Sequence, residues 1–189
     1  MRRLAVFNNI SLDGYFVDTR GEMSWAHNQD EEWRNFAAEN AKGGGELLFG
    51  RITYEMMASF WPSPAARQMN PAVAEGMNNM RKVVFSRTLR QASWNNTRLL
   101  QGDLGMEVRK LKNESGPDMV ILGSGSIVSQ LAQEGLIDEY QVVVHPIALC
   151  HGRTLFEGGK DRIRLTLSQS RAFGNGNVVL YYKPVALDE

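Results

Sequence analysis

Apolar positions along this chain alternate between a strand-like and a helix-like spacing. LAVFNNI (4–10) is β-prone, and SLDGYFVDTRGEMSW (11–25) is turn-rich, punctuated by Asp13-Gly14 and Arg20-Gly21. From 30 to 42 the period lengthens. Trp33, Phe36 and Ala37 share one helical face, and glycines 43–45 end it. ELLFG (46–50) reads as a short buried strand, and TYEMMASFW (53–61) as a helix with Thr53 at its N-cap. A loop over 62–73 leads into a short helix near 71–80. KVVFS (82–86) is a strand and TRLL (97–100) a further candidate. DLGMEVRKLKNE (103–114) is helical, with Leu104, Val108 and Leu111 on one stripe.

VILGSGSIVSQLAQEGLIDEY (120–140) then runs from a strand into glycines and on into a helix. EYQVVVHPI (139–147) is another strand. RIRLTLSQSRAF (162–173) and NVVLYYKP (177–184) read as long antiparallel strands around Gly174-Asn175-Gly176. Early alternation of strands and helices followed by a hairpin predicts an α/β fold with a mostly parallel sheet and an antiparallel C-terminal edge. No repeat, low-complexity tract or linker interrupts it, so residues 1–189 are expected to form a single domain.

Composition narrows the function classes. The chain has 189 residues, with 21 acidic and 21 basic side chains, so no global charge favours nucleic acid or a membrane surface. The local basic run Arg81, Lys82, Arg87 and Arg90 reads as a solvated strand end. Cys150 is the only cysteine, which rules out an intrachain disulfide and suits a reducing compartment. The opening residues resemble a secretory leader, but Asn8 and Asn9 interrupt the apolar run early. No stretch is long enough to span a bilayer. A cytoplasmic protein acting on a small molecule is the expectation. His145, Cys150 and His151 lie close in sequence but match no zinc spacing, so no metal is expected.

Three strands end in glycine or polar residues before a helix or loop: FGRIT (49–53), FSR (85–87) and LGSGS (122–126). In open α/β sheets ligands bind beyond the carboxyl ends of the strands, and helix N-termini there offer unpaired N–H groups to phosphate. Gly123 and Gly125 permit close backbone approach, and Ser124 or Ser126 offers a cap or a donor. Arg51 and Arg87 add charge suited to a further phosphate. Gly-x-Gly lacks the third glycine of the dinucleotide fingerprint, because Val128 stands there.

LLFGRITYE (47–55), KVVFSRTL (82–89) and VILGSGSIVSQLAQEGLIDEY together resemble the dihydrofolate reductase-like superfamily. SLDG (11–14) and HPIALCHGRTLFEGG (145–159) bring the chain closer to the reductase domain of the riboflavin-pathway deaminase–reductase and its stand-alone bacterial relatives. The resemblance implies a central sheet of about eight strands with flanking helices, NADPH as cofactor, and a homodimer. It places Arg51, Ser86 and Arg87 around the adenosine 2′-phosphate and counts Gly50 among the cofactor-binding residues. Thr53 and the turn Gly123, Ser124, Gly125, Ser126 would hold the diphosphate, and SLDG would lie near the nicotinamide.

This chain departs from that family at two points. It lacks the deaminase zinc signature, and Gly123 replaces the glutamate that precedes the glycine pair in riboflavin reductases. MSWAHNQDEEW (23–33) instead resembles the dihydrofolate reductase segment that carries a Trp and then a helical carboxylate, here Asp30. Asp30 reads either as a proton-handling acid or as a first-turn acid behind an Asn28–Glu31 capping box. Asp13 reads either as a substrate or cofactor contact or as a β-turn acid. Folate-type reduction and a non-catalytic dinucleotide-binding protein are the alternatives to a riboflavin-type reductase.

Overall fold

The computed structural model describes residues 1–27 and 30–185. The strands are β1 (Leu4–Ser11), β2 (Tyr15–Val17), β3 (Glu46–Gly50), β4 (Arg81–Phe85), β5 (Thr97–Leu100), β6 (Met119–Leu122), β7 (Glu139–His145), β8 (Arg153–Thr154), β9 (Leu165–Ala172) and β10 (Val178–Pro184). The helices are α1 (Glu31–Lys42), α2 (Arg51–Phe60), α3 (Pro64–Met69), α4 (Pro71–Asn79), α5 (Leu104–Asn113) and α6 (Gly125–Gln133). Eight strands form one sheet in the order β5-β4-β3-β6-β1-β7-β10-β9. β10 pairs antiparallel with both neighbours, while β5, β4, β3, β6, β1 and β7 pair parallel. The expected architecture therefore stands, with β10 as the single reversed strand.

The central strands are buried on both faces, which explains their unbroken apolar runs. Leu4, Val6, Leu48, Val83 and Ile121 pack against Val108 and Leu111 of α5 and Ile127, Val128 and Leu131 of α6. On the opposite face Leu47, Phe49 and Val84 meet Tyr54 of α2, Met77 of α4 and Trp94. Further along that face Trp33 and Phe36 of α1 cover Val143, Val179 and Phe173.

Local chemistry corrects several boundaries. Helix α2 starts two residues before Thr53, with Gly50 at its N-cap. Helix α3 was not anticipated; Ser63 accepts from the Ala66 N–H and Pro64 opens it. Strands β2 and β8 form an unforeseen two-stranded sheet that ties the residues just after SLDG to the 146–157 segment. Lys82 is not solvated. It is buried, donates to the carbonyl oxygens of Asn78, Met80 and Asn95 at 3.1, 2.7 and 3.1 Å, and lies 4.4 Å from the Trp94 ring centroid. No helix among the described residues is long and apolar enough to cross a membrane.

Candidate active site

Parallel strands bring their carboxyl ends to one edge. Gly50 ends β3, Phe85 precedes Ser86, Leu122 precedes Gly123, and Ser11 and His145 end β1 and β7. The first and third of these turns are fastened together. The Gly50 N–H donates to Ser124 Oγ at 3.0 Å, and the Ser124 N–H donates to Thr53 Oγ1 at 3.2 Å. This staple holds Ser124 in the left-handed region at φ 46°, a conformation that disfavours a side chain by roughly 1–2 kcal/mol. It also sets the N-termini of α2 and α6 side by side. Bonding back to the Ser124 carbonyl begins at Ile127 and Val128, so the Gly125 and Ser126 N–H groups are not used by the helix.

Both glycines of this turn are required by their neighbours. Gly123 has φ +64°, and a Cβ there would come 3.1 Å from Thr53 Cγ2. A Cβ on Gly125 would stand 2.6 Å from Phe16 Cζ, so the β2 segment rests directly on the start of α6. Ser124 is buried and Ser126 exposed. At the neighbouring strand end Ser86 Oγ accepts from the Thr88 and Leu89 N–H groups at 3.2 and 2.9 Å, and Arg87 is exposed beside it. Arg51, first in α2, pairs with Glu55 at 3.1 Å, both side chains exposed. Such an i,i+4 pair is worth about 0.3–0.5 kcal/mol, so Arg51 is readily redirected to an anion.

On the α1 side of β1 and β7 lies a second polar group. His145 is 4% exposed, and its Nε2 is 2.9 Å from Asn9 Oδ1. With that oxygen accepting, the ring proton sits on Nε2. Trp25 and Trp33 both approach the imidazole edge-on, at 5.4 and 6.1 Å between centroids. Burial pulls the His145 pKa down to about 4, so the ring is neutral through the physiological range.

A family model, the RibD C-terminal domain, matches residues 2–179. The chain belongs to the RibD C-terminal domain family. It is similar to two Bacillus subtilis (strain 168) proteins, YyaP and YwjB. YyaP is 27% identical over 182 residues, covering 96% of this chain and 94% of YyaP. YwjB is 24% identical over 184 residues, covering 96% and 97% respectively. A Shewanella sp. PV-4 protein assigned to riboflavin biosynthesis superposes with TM-score 0.74 at 24% identity, over 98% of this chain and 99% of that one. The deaminase/5-amino-6-(5-phosphoribosylamino)uracil reductase of Thermotoga maritima gives TM-score 0.70 at 17% identity, over 97% of this chain but 57% of that longer one. Their common fold is the dihydrofolate reductase-like one.

Within this RibD-type domain the structure brings together Gly50, Arg51, Thr53, Gly123, Ser124, Gly125 and Ser126 at one sheet edge, with Ser86 and Arg87 one strand further out. The two carboxylates take other positions. Asp13 accepts from Ser11 Oγ at 2.6 Å and from the Leu149 and Cys150 N–H groups at 3.0 and 2.7 Å. The Ser11 hydroxyl foremost, with these amides, holds its pKa below the ordinary 3.8. An acid so held stays ionised, which fits a latch between SLDG and the 148–150 loop. Asp30 is itself the N-cap of α1, accepting from the Glu32 and Trp33 N–H groups at 3.1 and 3.3 Å and from Asn175 Nδ2 at 3.1 Å. The Asn28–Glu31 capping box involves Asn28, which lies outside the described residues. His145, Cys150 and His151 do not converge, since the histidine is buried and the other two are exposed. Among the described residues no three such side chains could share a metal ion.

Sequence reading passed over Asn9, Phe16, Trp25 as a neighbour of His145, and Asn177. Alternation along a strand signals which residues share a face but not which polar pair will be enclosed. Only Asn8-Asn9 at the end of an apolar run carried a hint, because two amides there must find buried partners.

Proposed function

We propose that the protein is an NADPH-dependent reductase that transfers hydride to a small heterocyclic or ribosylamino substrate, resembling 5-amino-6-(5-phosphoribosylamino)uracil reductase. The observation that carries this reading is the Gly50–Ser124–Thr53 staple. It presents two helix N-termini and two arginine-bearing strand ends along one edge, where a dinucleotide with three phosphates finds both N–H donors and fixed charge. Asn8 adds to the fit. It lies one step past the Phe7–Leu122 pair, beside Gly123, and its buried Oδ1 has no protein partner.

Gly125 and Ser126 would hold the diphosphate with their N–H groups. Arg51 and Arg87 would meet the 2′-phosphate, with Ser86 shaping the second strand end. When bound, NADPH supplies the hydride. The chain's own contribution is to orient the two reactants, exclude water and keep neutral dipoles near the reacting carbon. Asp13 and Asp30 position the loops around the substrate side.

Cofactor titration of the wild type, Arg51→Ala and Arg87→Ala tests the reading. Loss of one charge-assisted phosphate contact should weaken NADPH about 10- to 150-fold and leave NADH unchanged. Equal wild-type affinities for both cofactors would overturn the assignment. NADPH oxidation against pyrimidines, pteridines and small carbonyls then separates an enzyme from a binding protein.

A further inference from the structure

Among the described residues three buried side-chain polar atoms lack a hydrogen-bond partner: Asn8 Oδ1, Trp25 Nε1 and Asn177 Nδ2. All three belong to the end of the sheet where the parallel strands finish. Asn8 lies on the α6 face of β1, whereas the two donors lie on the α1 face, around His145. Trp25 meets the imidazole edge-on at 5.4 Å. Asn177 is reached through register: Val178 pairs with Val144 and Val179 with Val143, so one further step sets Asn177 opposite His145. The Phe173 N–H bonds to the Asn177 carbonyl, which continues the hairpin ladder to that residue. Alternation turns its side chain to the same face as Val179 and therefore toward α1. Asn177 is 1% exposed.

Buried donors without acceptors are rare in folded proteins, and each one calls for a reason. Here two uncharged donors flank one neutral imidazole, and the walls are the rings of Trp25, Trp33 and Phe173. Asp30, at the start of α1, already accepts from two backbone amides and from Asn175. The described surroundings therefore offer hydrogen-bond donors and flat apolar surface, and the Asp30 carboxylate is committed to capping α1 and to Asn175.

We infer that the Trp25 indole N–H and the Asn177 side-chain amide are specificity-determining donors for oxygen acceptors on a flat, uncharged substrate ring. This rests on the reductase reading, because it assigns the substrate side of the same site. A ring oxygen brought up to either atom would give that donor the partner it lacks. Analogues that carry amino groups where the ring needs oxygen leave the donors unpaired and add hydrogens that face them, so discrimination follows from both effects.

The test uses lumazine, a pteridine-2,4-dione, as probe and 2,4-diaminopteridine as its control, each titrated onto full-length protein saturated with NADP⁺. Trp25→Phe retains a ring and loses the N–H; Asn177→Leu retains much of the volume and loses the amide. NADPH affinity and Tm are measured alongside. We expect the wild type to prefer lumazine, and each variant to lose about 10-fold in lumazine affinity, as for one hydrogen bond. NADPH affinity should stay within about twofold, and Tm should hold or rise once an unpaired buried donor is gone. Lumazine affinity unchanged in either folded variant, equal affinity for the two pteridines, or wild-type binding of NADPH with none of lumazine would each overturn the inference. Absence of NADPH binding by the wild type would instead overturn the reductase reading on which it stands. If one variant does not fold, the other decides.

Discussion

The two ends of the central sheet treat polar groups in opposite ways. Where the parallel strands begin, the buried charged side chains among the described residues all have partners. Buried Arg2 pairs with Glu46 at 2.7 Å, and Lys112 pairs with Asp138 at 2.6 Å while Asp138 also accepts from the Leu4 N–H. Lys82 caps three carbonyl oxygens. Where the strands finish there are glycine turns, a left-handed serine, a neutral buried histidine and three unpartnered polar atoms. One end satisfies its polar groups internally and the other leaves several of them unmade. In a protein whose net stability is only about 5–15 kcal/mol, the first end must offset what the second leaves unmade.

The sharpest way to break this contrast is to open the matched end. Arg2→Met should destabilise the protein by about 3–5 kcal/mol, because it leaves the buried Glu46 carboxylate without its ion-pair partner. Its NADPH affinity, measured on the remaining folded fraction, should be unchanged. A loss of cofactor affinity comparable with the loss of stability would mean that the two ends are not independent.

The next largest effect concerns His145. Its folded pKa of about 4 lies below the unfolded value of 6.5, so the unfolded chain takes up the proton first as pH falls. The resulting stability is present above pH 6.5 and is lost progressively between 6.5 and about 4, a change of about 3 kcal/mol. Urea unfolding at pH 7 and at pH 4.5 should show this slope in the wild type and a flatter one in His145→Gln. Parallel slopes would mean that some other group dominates the acid limb.

The smallest effect tests the glycine turn. Gly125→Val drives a side chain into the Phe16 ring, and overpacking of this kind costs about 1–3 kcal/mol. Adding Phe16→Leu should recover much of the stability, read as Tm. It should not recover NADPH affinity if the turn also meets the diphosphate. Recovery of both would make Gly125 a packing residue alone.

Much of this was legible along the chain. The alternation of periods foretold an α/β sheet with a reversed C-terminal hairpin, and the glycine and serine residues at strand ends marked the edge to examine. Periodicity is local, so it survives without knowledge of which strands are neighbours. It was silent where a residue's bonding depended on a partner far away. Asp30 read either as a proton-handling acid or as a first-turn acid, and the folded chain makes it the cap of α1 and bonds it to Asn175, 145 positions away. Asp13 became a latch because the 148–150 loop folds back onto it. Lys82 was read as solvated because a strand end gives no sign of three carbonyl groups converging on it.

Sequence by itself determined most of the elements of the main sheet and its helices, their order and the residue types at the strand ends, since these follow from spacing and residue type within a few positions; α3 and the β2–β8 pair were not among them. Tertiary structure alone decided which of those polar groups are paired. The Ser124 staple joins residues 71 and 74 positions apart, and Asn177 reaches His145 only because β10 runs against β7 and so begins where β7 ends. Hydrogen bonds depend on distance in space, and a reversed strand is what carries the start of a late segment to the finish of an earlier one.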